Sequence, residues 1–99
     1  MKRLQSNEIQ LIGSWTYQGD RVTGDDVCER IEWLTSHVLE QVAVSREYGA
    51  WETLFRDPQD GRFWERTYPQ SEMQGGGPPI LSNLSEEKAG DKYGLAEIR

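Results

Sequence analysis

The stretch from Ala50 to Tyr68 leaves this chain little conformational choice. Two runs rich in aromatic and β-branched residues, Ala50-Trp51-Glu52-Thr53-Leu54-Phe55-Arg56 and Arg62-Phe63-Trp64-Glu65-Arg66-Thr67-Tyr68, flank the turn formers Asp57-Pro58-Gln59-Asp60-Gly61. An antiparallel hairpin follows. With Asp57 opposite Arg62, Phe55 meets Trp64, Thr53 meets Arg66 and Trp51 meets Tyr68, which gathers four aromatics on one face. Glu52, Leu54, Arg56, Phe63, Glu65 and Thr67 then share the other. Pairing Asp57 with Gly61 instead sets Arg56 against Arg62 and scatters the aromatics over both faces, so that register is rejected.

An aromatic face of this kind needs a cover, and the segment after Thr23 supplies a helix to pack on it. Thr23 stands three residues before Asp26, a capping-box-like spacing. Val27, Ile31, Leu34 and Val38 follow on one stripe with Trp33 beside them, while Asp25, Glu29, Glu32 and Ser36 look outward. Near residue 39 or 40 the pattern changes to strand, with Val42 and Val44 alternating with polar or small neighbours. Upstream, Ile9, Leu11, Trp15 and Tyr17 alternate as one half-buried strand with a bulge at Gly13, closed by a turn at Gly19-Asp20. Pro69, lacking a donor, ends the hairpin; Gln70 to Asn83 carries few signals beyond Ile80 and Leu81. Ser85 caps a short last helix over Glu86 to Ala89, and Gly94 stops it. The expected fold is α+β: one main helix packed on an antiparallel sheet of about four strands, in the order β-α-β-β-β-α, with a short C-terminal helix. At 99 residues the chain is expected to form one domain spanning residues 1–99.

Charge narrows the function classes. Asp plus Glu number 17 against 11 Lys plus Arg, a net −6, so duplex DNA and anionic membranes are repelled and a basic partner is attracted. Most of that excess lies on residues 24–40, where Arg30 faces Asp25, Asp26, Glu29, Glu32 and Glu40. One cysteine forms no internal disulfide, and no run is apolar enough for a membrane span or signal peptide; a cytoplasmic location is expected. His37, the only histidine, lies nine residues from Cys28 and on the far side of the helix, which rules out a dyad. Asp25, Asp26 and Glu29 suit a helix N-terminus, and Gly75-Gly76-Gly77-Pro78-Pro79 lacks the Lys-Ser/Thr of a phosphate loop. No metal or cofactor is expected. What remains is a surface for a protein partner. The alternative from another class is a small-ligand or enzyme domain using Glu65, Tyr68 and Glu72 around the Gly-Pro loop.

Three ordered sets of residues, Arg30 to Leu34, then Trp51 to Pro58 with Asp60 to Glu65, then Thr67 to Met73 with Gly75 to Pro79, resemble the immunity protein 27 family of bacterial polymorphic-toxin and contact-dependent growth inhibition systems. The likeness runs from about Leu4 to Gly94, although Ala50 and Gln74 stand where the family pattern has Gly and His. It implies a non-enzymatic cytoplasmic antidote that occludes one cognate toxin domain, often a nuclease. The partner-binding set expected on charge and loop chemistry comprises Asp25, Asp26, Glu29 and Glu32 on the helix and Glu52, Arg56, Asp60 and Glu65 on the hairpin. Glu72, Gly75, Gly76 and Gly77 complete it from the loop.

Overall fold

The structure, a computed structural model, describes residues 1–45, 52–69 and 77–94. Three strands come first: β1 (Gln10–Ile12), β2 (Trp15–Gln18) and β3 (Arg21–Gly24). Helix α1 (Asp26–Trp33) follows and widens into a π-helical turn over Leu34–Val38. The remaining elements are β4 (Glu40–Val44), β5 (Thr53–Arg56), β6 (Phe63–Thr67), β7 (Ile80–Leu84) and α2 (Glu86–Tyr93). Five strands form one antiparallel sheet in the order β1-β7-β6-β5-β4, and β2 pairs with β3 in a separate ribbon. The class is the expected α+β, with more strands than expected.

The hairpin register is the expected one. Phe55 faces Trp64 and Thr53 faces Arg66, while the Asp57 N–H donates to the Arg62 carbonyl at 2.9 Å. The partner foreseen for Tyr68, Trp51, lies outside the described residues. Phe55 and Trp64 pack with Ile31, Leu34, Leu39 and Leu81, and Val27, Trp33 and Val38 close over them, so the aromatic face does carry the main helix. The opposite face is also covered. Leu54 and Phe63 pack with Ala89, and Val42, Leu84 and Tyr93 lie against them, which places α2 on that side of the sheet.

Several local expectations are corrected. The single first strand is broken at Gly13, because the backbone there is buried against Cys28 and Pro79. A Cβ on Gly13 would stand 2.6 Å from Cys28 Sγ and 2.8 Å from the Pro79 carbonyl. Residues 21–24 form β3 rather than the lead into the helix, and the cap is Asp25, whose carboxylate accepts the Cys28 N–H at 2.9 Å. The near-featureless stretch around Ile80 and Leu81 is β7, an interior strand between β1 and β6. Ser85 and Gly94 do bound α2, the first accepting from the Lys88 N–H and the second in the left-handed conformation.

Two arginines tie down the N-terminal segment. Arg30 holds both oxygens of Glu8 at 2.8 Å and donates to the carbonyls of Lys2 and Arg3 at 2.9 Å. Arg62, stacked 4.8 Å from the Trp64 ring, donates to the carbonyls of Gln5 and Glu8 at 2.9 Å. Leu4 is thereby held in the core. The hydrogen bonds from Arg30 keep the Glu8 carboxyl at about 2, below its ordinary 4.5.

Two outcomes are expected. Trp64, fully buried, should cost ~3 to 5 kcal/mol when replaced by Ala, read from urea unfolding. Because the Glu8 pKa is depressed on folding, its contribution is complete above about pH 5 and is lost as pH falls through 4.5 towards 2. For this partly exposed pair it should be on the order of 1 to 3 kcal/mol, so Glu8→Gln should flatten the stability profile between those pH values and leave its shape above pH 6 unchanged.

Candidate binding surface

A cleft of about 630 Å³ opens where the β2–β3 ribbon, α1 and the far end of β6 converge. Trp15 and Gly24 of the ribbon form one wall, Glu29, Glu32 and Thr35 the helical wall, and Arg66 and Tyr68 lie opposite, with Gly77 and Pro79 at one end. Each contributor is placed by local rules. Alternation along β6 sends Trp64 and Arg66 to the α1 side, and the helical period sets Glu29 and Glu32 on the face turned from the core. Gly77 adopts φ 69, a left-handed conformation that glycine enters freely.

The ribbon is joined to the helix by an unusually close approach. Cys28 Sγ donates to the Ser14 carbonyl at 3.4 Å, and a Cβ on Gly24 would lie 2.8 Å from Cys28 Cβ. Burial, with the neighbouring Asp25 carboxylate, pushes the Cys28 thiol up, so it remains a neutral packing group. Beyond this joint the ribbon projects into solvent: Tyr17 and Val22 are cross-strand partners, 76% and 55% exposed. A second, shallower depression runs beside it past Thr16, Gln18, Asp25, Asp26 and Glu29.

The floor of the main cleft is cationic. Arg66 donates from Nη1 to the Thr35 hydroxyl at 3.2 Å and lies 5.3 Å from the Phe55 ring and 5.7 Å from that of Tyr68. The acids on the helix are exposed, and Arg30 does not neutralise them because its charge is taken up by Glu8. Although burial works against the charge of Asp25, the N–H groups it accepts at the helix start hold its carboxyl below the ordinary range.

Two acids of the charged hairpin face, Glu52 and Glu65, are taken up by α2. Glu65 Oε2 accepts from the Tyr93 hydroxyl at 2.7 Å and from Lys92 Nζ at 2.6 Å, and Lys92 also holds Glu52 at 2.7 Å. Burial and the Glu65 hydrogen bond drive the Tyr93 phenol well above its usual value; Lys92, despite burial, is raised by its two carboxylates. The expected residues therefore separate. Asp25, Asp26, Glu29, Glu32 and Gly77 lie along the cleft side, whereas Glu52 and Glu65 are committed beneath α2. Arg56 pairs with Glu40 at the β4–β5 edge, and Asp60 accepts from Arg62 within the turn. Glu72, Gly75 and Gly76 lie outside the described residues. Glu65 and Tyr68 occupy opposite sides of the sheet, so the acid/base group of the ligand-binding alternative is not brought together. Arg66, Trp15 and Tyr17 are the cleft and ribbon residues that charge counting passed over.

Compared with known proteins, residues 17–85 match the family model of immunity protein 27, well over half of the chain. The chain belongs to the immunity protein 27 family. No curated protein and no solved structure matches it. The matched span of this immunity protein contains the ribbon from Tyr17, the whole of α1 and every strand that builds the cleft floor. As an immunity protein it has a cognate toxin as its partner.

The tight joint below the cleft is open to a direct check. Gly13→Ala should destabilise the immunity protein by ~1 to 3 kcal/mol through overpacking, and adding Cys28→Ala should restore part of that loss by removing the sulfur contact. Thermal melts that show the double variant no more stable than the single one would assign the strain to Pro79 alone.

Proposed function

We propose that this immunity protein neutralises a basic toxin domain, a nuclease, by stoichiometric occlusion in the cytoplasm, without catalysis. The observation that carries the reading is the row of exposed acids Asp26, Glu29 and Glu32 on α1, which form no ion pair among the described residues, Arg30 being bound to Glu8. A nuclease must present positive potential to hold a polyanion, and an acidic face competes for that same surface. Net −6 adds long-range attraction. Asp25 contributes to the field while it caps the helix, and Gly77 and the ribbon supply the contact surface beside the acids. Glu52 and Glu65, held by Lys92, stabilise the fold and are not part of the proposed contact. Among the described residues no helix is long and apolar enough to cross a membrane.

Co-expression with the toxin encoded immediately upstream tests the function: survival is expected with this chain and not without it. Stopped-flow association tests the role of the acids. The combined Asp26→Asn, Glu29→Gln, Glu32→Gln variant should associate more slowly and with a flatter salt dependence, its dissociation rate changing little, because exposed charges act over a Debye length of ~8 Å. An unchanged association rate would remove these acids from the interface.

A further inference from the structure

Arg66 differs from the arginines that hold the fold together. Arg30, Arg56 and Arg62 each meet a carboxylate within 3.0 Å, namely Glu8, Glu40 and Asp60. Among the described residues no carboxylate is paired with Arg66, although Glu29 and Glu32 line the same cleft. Its Nε is buried without a hydrogen-bond partner, and its hydrogen bond runs from Nη1 to Thr35. Nε shares one edge of the guanidinium with Nη2, for which no hydrogen bond is seen among the described residues, and that edge is the fork that a carboxylate fits with two parallel bonds. A partly desolvated charge with an orphaned donor lowers the stability of the free protein. In a chain with six more acids than bases, a carboxylate near Arg66 would be easy to supply, yet none of the described residues takes the place.

Resting on the immunity reading, we infer that the cleft is the site where the toxin inserts a side-chain carboxylate onto the Nε/Nη2 edge of Arg66, with basic residues of the same toxin segment set against Glu29 and Glu32. The volume of about 630 Å³ accommodates several side chains. The cleft carries a cation on its floor and two carboxylates on its wall that do not pair with it, so it complements a segment of mixed charge rather than a purely basic one. Phe55 and Tyr68 flank the guanidinium, and because Nε is covered, a carboxylate entering the cleft reaches that edge from the Nη2 side with a small shift of the side chain.

The test is calorimetric titration of the toxin domain encoded upstream into the wild-type chain, Arg66→Met and Arg66→Lys. It is combined with a scan of toxin Asp→Asn and Glu→Gln variants. The expected result is a loss of ~30-fold or more for Arg66→Met, with partial recovery in Arg66→Lys, which keeps the charge but not the fork. Thermal stability of the free Arg66→Met protein should be unchanged or higher, where a purely structural arginine would give a lower melting temperature. One toxin variant should show a matching loss that does not add to that of Arg66→Met. Binding of Arg66→Met within about threefold of wild type, or losses that are additive for every toxin carboxylate, would overturn the inference while leaving the immunity reading intact. If Arg66→Met fails to fold, the same scan against wild type and Arg66→Lys decides, since only a carboxylate paired with position 66 has a smaller effect in the lysine variant than in wild type. A toxin that does not bind the wild-type chain overturns both.

Discussion

The pairing of β5 with β6 in one register governs most of what this molecule presents to its surroundings. Asp57, almost wholly buried, fixes it: its N–H donates to Arg62, its carbonyl accepts from the Gly61 N–H at 2.7 Å, and its carboxylate accepts from the Gln59 N–H at 2.9 Å. Gly61, at φ 78, lets the chain reverse without strain. A slip of one residue would exchange the two faces of β6, sending Trp64 and Arg66 under α2 and Phe63 and Glu65 under α1. Core, cleft floor and buried ion cluster would all be lost together.

Each face of β6 carries one charged side chain among its apolar neighbours, and the two are treated differently. Glu65 is sealed beneath α2 and fully answered by Lys92 and Tyr93, a closed arrangement in which each group supports the charge or hydrogen bond of the next. Arg66 sits under an open cleft with one polar contact and two aromatic faces. Burying a charge is tolerable when its partners come from the same chain, as for Glu65. Both faces of the sheet are packed, but the charge on the α2 face is sealed in while the charge on the α1 face lies at the cleft.

The elements legible in the sequence are those whose signals are local. The hairpin register followed from turn chemistry and alternation, the α1 stripe from a helical period, and the bounds of α2 from Ser85 and Gly94. What escaped depended on distant partners. β7 has no alternation because both of its edges are paired and it is half-buried along most of its length, so its identity rests on β1 and β6 rather than on its own residues. The break at Gly13 comes from Cys28 and Pro79, one fifteen and the other sixty-six positions away. Asp25 outcompeted Thr23 as cap because Thr23 was already engaged opposite Thr16. A visible clue to the second covered face was Ala89 and Tyr93, four apart on α2. Glu52 and Glu65 read as surface because charged residues usually are; their burial required a lysine from a different element. The acids on α1 were correctly placed outward by the helical period, while Arg66 carried no distinguishing mark until the described residues were seen to hold no counter-ion for it.

The N-terminal segment has its own temporal logic. Residues 2–8 are held first by Arg30 and then by Arg62, and among the described residues β1 pairs with β7 alone, at positions 80–82. On the ribosome, β1 is therefore made well before the strand that pairs with it. The β5–β6 hairpin, by contrast, closes within a short loop and can form as soon as it clears the exit tunnel. Until residue 82 emerges, the edge of β6 that will receive β7 stays bare, so the nascent protein passes through a stage in which the central strand is paired on one edge alone. A cell that needs its antidote intact before the toxin acts depends on how quickly that last strand is delivered.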